Sequence, residues 1–339
     1  MKSLKILSLF DGMSCGQIAL ERAGFGVDKY YASEIDKYAI KVTQKNYPDT
    51  IQLGDITKWQ EWDIDQPDII MGGSPCQGFS FAGKRLNFED ERSKLFFVFV
   101  EILKHYKPKY FLLENVVMKQ EHIDVISGIL GELYPKCVSQ HEIFRNGRLE
   151  PIKINSALVS AQNRKRLYWT NIEKIKQPQD KGIVLRSIIQ TEGSGIIRQY
   201  GKLVSRPDKA QGIVANYFKG IDNHGMRTCI SIPEATKKGY IEAELGDGVD
   251  LTFPDSKTRR GRLMKHKCNA LMAGNAEYGV IDQELSWRKL TPIECERLQT
   301  VPDNYTSGVS NSQRYKMLGN RWTVDVIAHI FSYMKEPKP

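Results

Sequence analysis

Long apolar runs are missing from this chain of 339 residues, and no window approaches the ~18 consecutive apolar residues of a membrane-spanning helix. The stretch from Met1 to Gly12 starts basic and carries a short apolar run. It has no full hydrophobic region and no small-residue cleavage site, so it reads as a buried strand rather than a leader. Cysteine is sparse: Cys15, Cys76, Cys137, Cys229, Cys268 and Cys295 are scattered, with no C-x-x-C pair and no histidine at metal spacing. That argues against a zinc site or a disulfide framework and for reduced thiols in the cytoplasm, with no metal. The G-x-G-x-x-G fingerprint is absent, which makes a nicotinamide-dependent oxidoreductase remote. No strong internal repeat is present. What is there is an ordinary globular composition, 41% hydrophobic and 26% charged, with ample material for a core. The length suits two domains, or one large domain with an insertion, at roughly 100–200 residues each. Lys and Arg number 49 against 40 Asp and Glu, a net charge of +9 that favours a polyanionic partner without naming one.

The first part of the chain alternates apolar strands with amphipathic helices. Strands are expected at Lys5–Phe10, Tyr30–Glu34, Thr50–Asp55, Pro67–Gly73 and Tyr110–Glu114, with helices at Gly16–Ala23, Lys37–Asn46 and Ser93–His105. This order predicts an α/β fold, a Rossmann-like doubly wound sheet that binds ligands at the carboxyl ends of its strands. From about Asn171 to Ser286 the chain turns rich in Gly, Lys and Arg, with short extended runs: an inserted, irregular, β-containing domain. Helical patterns then return. Thr291, Pro292 and Glu294 form an N-terminal capping signature, and Trp322 to Met334 reads as a last apolar-striped helix.

Four segments carry chemistry. Phe10-Asp11-Gly12-Met13-Ser14-Cys15-Gly16 joins strand one to helix one, where glycine admits a ligand to the backbone and the helix start offers free N–H groups. Glu34 and Asp55 end the next two strands, in place to hold ribose hydroxyls and an adenine amine. Singly each is more often a cap or a solvated turn; together they favour a nucleoside site. Gly72-Gly73-Ser74-Pro75-Cys76-Gln77-Gly78-Phe79-Ser80 follows strand four, and puts a cysteine among loop residues where a thiolate can form. A lone cysteine is otherwise a small buried hydrophobe. Glu114, in Leu113-Glu114-Asn115-Val116, leaves an apolar strand, which suits a group that shares a proton, although a salt-bridged strand end is the commoner case. In Gln162-Asn163-Arg164-Lys165-Arg166, strand alternation would put Arg164 and Arg166 on one face as a clamp for a carbonyl and a phosphate, against the plain alternative of a solvated basic strand.

Taken together and in this order, these segments resemble those of the DNA (cytosine-5) methyltransferases. FDGMSCG is similar to the family's cofactor loop, GGSPCQGFS to its nucleophile loop, ENV to its glutamate motif and QNRKR to its arginine motif. Arg288 to Tyr305 and Gln313 to Asn320 resemble its last conserved segments. Two departures stand out. The closing motif usually reads Gly-Asn-Ser/Ala-Val and is here Gly319-Asn320-Arg321-Trp322-Thr323-Val324, with a Trp as in the animal de novo enzymes. The usual Thr-Leu pair of the recognition domain is replaced by Ala270-Leu271.

The resemblance implies a class I methyltransferase domain over residues 1–172 plus 288–339 and a target-recognition domain over 173–287. It implies S-adenosyl-methionine as cofactor, lying across Phe10, Asp11, Gly12, Gly16, Pro75, Asn320 and Trp322, with Glu34 on the ribose, Asp55 on the adenine amine, and Ile35 and Ile56 on its faces. Cys76 would add to C6 of a flipped-out cytosine and make C5 nucleophilic. Glu114 would hold N3 and N4, Arg166 would hold O2, and Arg164 would sit near the phosphate. The loop with Gln77, Ser80, Lys84 and Arg92 would close over the base. In the recognition domain the run Lys257 to Arg262, including Arg259, Arg260 and Arg262 and leading to Lys265 and Lys267, would contact DNA. Double-stranded DNA is the partner expected. A cognate restriction endonuclease would be a functional rather than a physical one, no membrane is involved, and a monomer suffices because one chain holds all the parts. The rivals are a tRNA methyltransferase of the same fold and a catalytically silent DNA-binding regulator. The Cys-Phe-Thr tripeptide of the first is absent, and intact Cys76, Glu114 and Arg166 argue against the second.

Overall fold

Leu4–Leu9 (β1) is apolar on both faces, the pattern of a strand covered from both sides. Leu4 and Ile6 enter one core while Leu7 and Leu9 enter the other, as the two-residue period of a strand requires. The computed structural model describes residues 3–74, 91–137, 147–188, 190, 204–206, 229–233, 235, 240–243, 246–250, 252–253, 258, 261–272, 278–281 and 287–334. In chain order β1 is followed by α1 (Cys15–Arg22), β2 (Val27–Ser33), α2 (Lys37–Asn46), β3 (Ile51–Gln52), β4 (Ile69–Gly72), α3 (Glu91–Tyr106), β5 (Tyr110–Val116), α4 (Gln120–Leu133), β6 (Ile152–Asn155), β7 (Gln162–Asn163) and β8 (Lys165–Thr170). The main sheet has seven strands in the order β3-β2-β1-β4-β5-β8-β6. The first five run parallel, and β8 is antiparallel to both its neighbours. This is the doubly wound α/β sheet expected from the sequence, with its order reversing between β1 and β4.

One face of the sheet packs on α1 and on α5 (Pro292–Leu298), α6 (Asn311–Asn320) and α7 (Val324–Phe331), through Ile18, Leu20, Leu298, Leu318, Val324 and Ile327. The other face packs on α3 and α4 through Phe96, Phe99, Leu103, Ile126 and Leu130. The capping signature at Thr291 forms in full. Thr291 Oγ1 accepts from the Glu294 N–H at 3.2 Å, and Glu294 Oε2 accepts from the Thr291 N–H at 2.8 Å.

Several boundaries differ from expectation, two of them because a side chain redirects the chain. The third strand shrinks to Ile51–Gln52, because Asp55 caps a 3-10 turn, Ile56–Glu61, by accepting from the Thr57 N–H. The last helix begins at Val324 rather than Trp322, because Arg321 and Thr323 are extended. Gln299 holds that stretch: its amide donates to the carbonyl of Leu318 at 2.6 Å, its carbonyl accepts from Thr323 Oγ1 at 3.0 Å, and its backbone oxygen accepts from the Val324 N–H.

Within 173–287 the described residues contain one helical turn, Leu185–Ile188, and short strands. β9 (Val204–Arg206), β10 (Cys229–Pro233) and β11 (Tyr240–Ala243) make a three-stranded antiparallel sheet. A four-stranded one has the order β13 (Leu263–Met264), β12 (Gly248–Asp250), β15 (Tyr278–Ile281), β16 (Trp287–Lys289). β14 (Cys268–Asn269) pairs with β7 and so ties this region to the main fold. No helix among the described residues is long and apolar enough to cross a membrane.

Candidate active site

The carboxyl ends of β1, β2, β4 and β5 meet where the strand order reverses, the place where open α/β sheets bind ligands. A cavity of about 590 Å³ opens there. Its walls include Phe10 after β1, Glu34 and Ile35 after β2, Asp55 and Ile56, Gly73 and Ser74 after β4, Glu114 to Val116 of β5, Arg164, Arg166, Asn320 and Arg321. Residues spread over most of the chain thus share one pocket.

On the β1 side the loop is wound tightly: Phe10, Gly12 and Ser14 have φ of 57°, 67° and 57°. Such angles are costly for residues with a side chain and are held by surrounding bonds. Asp11 provides them. Its buried carboxylate accepts from Ser14 Oγ at 2.5 Å and from the Tyr30 hydroxyl at 2.7 Å. Burial pushes its pKa up against those bonds. Asp11, expected to line the cofactor site, therefore braces the loop from within and is not in the cavity wall. Gly16 is likewise a packing position, since a Cβ there would collide with Met71 and crowd Tyr30.

Glu34 faces the cavity with all of its acceptors in use. Oε2 takes the Gly12 N–H at 2.7 Å and Arg321 Nη2 at 3.2 Å; Oε1 takes the N–H groups of Ile35 and Asp36, both at 2.9 Å. Asp55 directs Oδ1 to Thr57, whose N–H and hydroxyl hold its pKa below the usual carboxylate range. Ile35 is 75% exposed and Ile56 is buried. Arg321 was not singled out from the sequence; the only signal was its departure from the usual small residue of the closing motif. Trp322 lies behind the wall, with Nε1 3.2 Å from where a Cβ on Gly73 would stand.

On the β5 side, alternation with Leu112 places Glu114 toward the α1 and α7 layer, at the sheet's edge. Its Oε1 pairs with Arg166 Nε at 3.0 Å, both side chains being nearly buried. A Cβ on Gly73 would stand 3.0 Å from Glu114 Oε2, so a larger residue there would crowd that oxygen. Arg164 lines the same cavity as Arg166. It falls between β7 and β8 and is buried, and its Nη1 donates to the carbonyls of Leu271 at 3.0 Å and Gly319 at 3.3 Å. Burial, followed by the charge of Arg166, lowers its pKa to about 10, which leaves it charged at neutral pH. Through Nη1 it links the recognition segment to the closing motif.

The basic run is also corrected in part. Arg262 is 2% exposed, and its carbonyl accepts from the Asp250 N–H. Lys265 pairs with buried Asp247 at 2.8 Å, and Lys267 Nζ donates to the carbonyls of Ala157, Ser160 and Ile183. These three cations serve the fold. Pro75, Cys76, Gln77, Ser80, Lys84, Arg259 and Arg260, and the side chain of Arg92, lie outside the described residues.

A sequence profile described as C-5 cytosine-specific DNA methylase matches residues 4–133 and 155–336. The chain is similar to the Type II methyltransferase M1.ScrFI of Lactococcus lactis subsp. cremoris, 31% identical over 98% of this chain and 78% of that one. It is 30% identical to the Type II methyltransferase M.NlaIV of Neisseria lactamica, over 96% of this chain and 97% of the relative. In structure it resembles the S. pombe Dnmt2 methyltransferase, with a TM-score of 0.61 and 18% identity over 97% of each chain, a likeness of fold.

Proposed function

The chain belongs to the C-5 cytosine-specific DNA methylase family and is a DNA cytosine-5 methyltransferase, and we propose that it acts on a cytosine flipped out of one short double-stranded DNA sequence, with Cys76 as nucleophile. The observation that carries this reading is the single cavity that joins the Glu114–Arg166 pair to Glu34 and Asp55 at the switch point of the sheet. A stacked cytosine cannot present C6 to a side chain, so the base must leave the helix.

The pair matches the cytosine edge. N4 is a donor, and N3 and O2 are acceptors. A carboxylate suits N4 and a protonated N3, and a guanidinium suits O2; the 3.0 Å bond between Glu114 and Arg166 keeps the two groups side by side. Addition of a thiolate to C6 drives negative charge onto the ring. Glu114, sharing a proton at N3, and Arg166, donating at O2, would offset it from side chains that are nearly buried. Burial raises the thiols of Cys15, Cys137 and Cys268, with Cys15 at about 12, so none of these three is a ready thiolate.

S-adenosyl-methionine supplies the methyl group. The residues fit it: Glu34, Asp55 and Ile56 line the cavity wall, and the buried Arg321 Nε and Ser74 Oγ have no hydrogen-bond partner. The change of architecture after about residue 172 supports a catalytic domain of 1–172 plus 288–339 and a recognition domain of 173–287. Relatives named Type II methyltransferases favour pairing with a cognate endonuclease.

Bisulfite sequencing of DNA from cells expressing the chain tests the reading, with Cys76→Ser as control. Modified cytosines in one short context, absent from the control, are expected. No modification in either would end the duplex-DNA reading; a labelled-methyl assay on tRNA and a 5-fluorocytosine trap would then separate an RNA enzyme from a silent binder.

A further inference from the structure

Arg321 reaches into the cavity for a purpose that Glu114 and Arg166 leave unserved. Its backbone is extended after α6 (φ −103°, ψ 169°), and its side chain crosses to the β1–α1 loop. A Cβ on Gly12 would collide with the guanidinium, which therefore rests on the bare α-carbon of that glycine. Nη1 donates to the Phe10 carbonyl at 2.9 Å, and Nη2 to Glu34 Oε2 at 3.2 Å. Nε is buried and has no acceptor.

The edge formed by Nε and Nη2 is the one that receives a carboxylate side-on through two parallel hydrogen bonds. In this structure half of that edge is spent on Glu34 and half on nothing. The bond to Glu34 is the longest of the four that its carboxylate accepts. A ribose hydroxyl arriving at Oε2 would compete with Nη2 for it.

We propose that Arg321 anchors the carboxylate at the amino-acid end of S-adenosyl-methionine, turning its Nε–Nη2 edge from Glu34 to that carboxylate while Glu34 takes the ribose. The inference rests on the cofactor reading above and assigns a role to the position where the family pattern has a small residue. It makes Arg321 a specificity-determining residue for ligands that carry the amino-acid end.

Calorimetric titration of the full chain with two ligands tests it. S-adenosyl-homocysteine carries the carboxylate; 5′-methylthioadenosine keeps the nucleoside and the sulfur but has no amino-acid end. Arg321→Ala should weaken S-adenosyl-homocysteine binding about 10- to 100-fold and leave 5′-methylthioadenosine equal or tighter. Arg321→Lys, a point charge in place of a fork, should recover part of the loss. Arg321→Gln provides a second neutral variant should the alanine form unfold, which a thermal melt reveals. Equal weakening of both ligands, tighter binding of both, or unchanged S-adenosyl-homocysteine binding would overturn the proposal. Failure of the unmodified protein to bind either ligand would instead overturn the cofactor reading beneath it.

Discussion

Glu114 and Arg166 define each other's position. A carboxylate at the end of an apolar strand meets a guanidinium from the antiparallel neighbour, and Gly73 leaves the second oxygen clear. Glu114→Gln keeps an acceptor for Arg166 but loses the charge that offsets the developing ring anion. Turnover should fall about 10²- to 10³-fold with little change in S-adenosyl-homocysteine affinity, as read by single-turnover kinetics beside calorimetry. Normal turnover would remove Glu114 from the chemistry. Glu34, Asp55 and Glu114 were legible in the sequence because each closes a short extended run, a local pattern. Arg321 was not, because its partner Glu34 is 287 residues away and nothing near it in the chain marks the contact. Asp11 and Gly16 belong to the same segment but are buried, Asp11 bracing it through Ser14 and Tyr30 and Gly16 lying close against Met71.

At the level of elements, the sequence was most informative where end chemistry is local. The Thr291 capping box formed as written, and Thr291 Oγ1 also donates to Gln190 Oε1 at 2.6 Å. Thr291→Ala should cost about 1 kcal/mol of stability, visible as a lower denaturant midpoint with an unchanged slope. An unaltered midpoint would mean that α5 is held by packing alone. These two boundaries shifted because a side chain intervened: Asp55 turned the chain out of β3, and Gln299 held the segment before α7 extended. The polar region after residue 172 was legible as irregular and β-rich, but its strand pairings were not, since short strands carry little pattern of their own.

For the whole molecule, two cations decide how the recognition segment meets the catalytic sheet. Arg164 joins Leu271 to Gly319, and Lys267 donates to the carbonyls of Ala157 and Ser160 on the catalytic side and of Ile183. Lys267→Met should cost about 1–3 kcal/mol by leaving those carbonyls unmet and should speed amide exchange across 261–272. Exchange confined to other regions would refute that docking role. At the opposite edge, Asp65 ties Lys5 of β1 to Lys29 of β2 at 3.0 and 2.8 Å. Hydrogen bonds from Lys29 and Lys5 hold its pKa at about 2, below an unfolded value of about 3.9. Its contribution is therefore full above about pH 4 and is lost as the pH falls toward 2. Asp65→Asn should flatten the acid limb of the stability curve in that window, measured by urea midpoints, while an unchanged limb would mean that the lysines are solvated. The sequence by itself determined the alternation of strands and helices, the switch-point placement of Glu34, Asp55 and Glu114, and the family, because each depends on residues close together in the chain. Only the tertiary structure decided which cations face the cavity. It buried Arg262, set Arg164 and Lys267 on backbone carbonyls and brought Arg321 over Gly12, because a long side chain takes whichever acceptor packing sets within its reach.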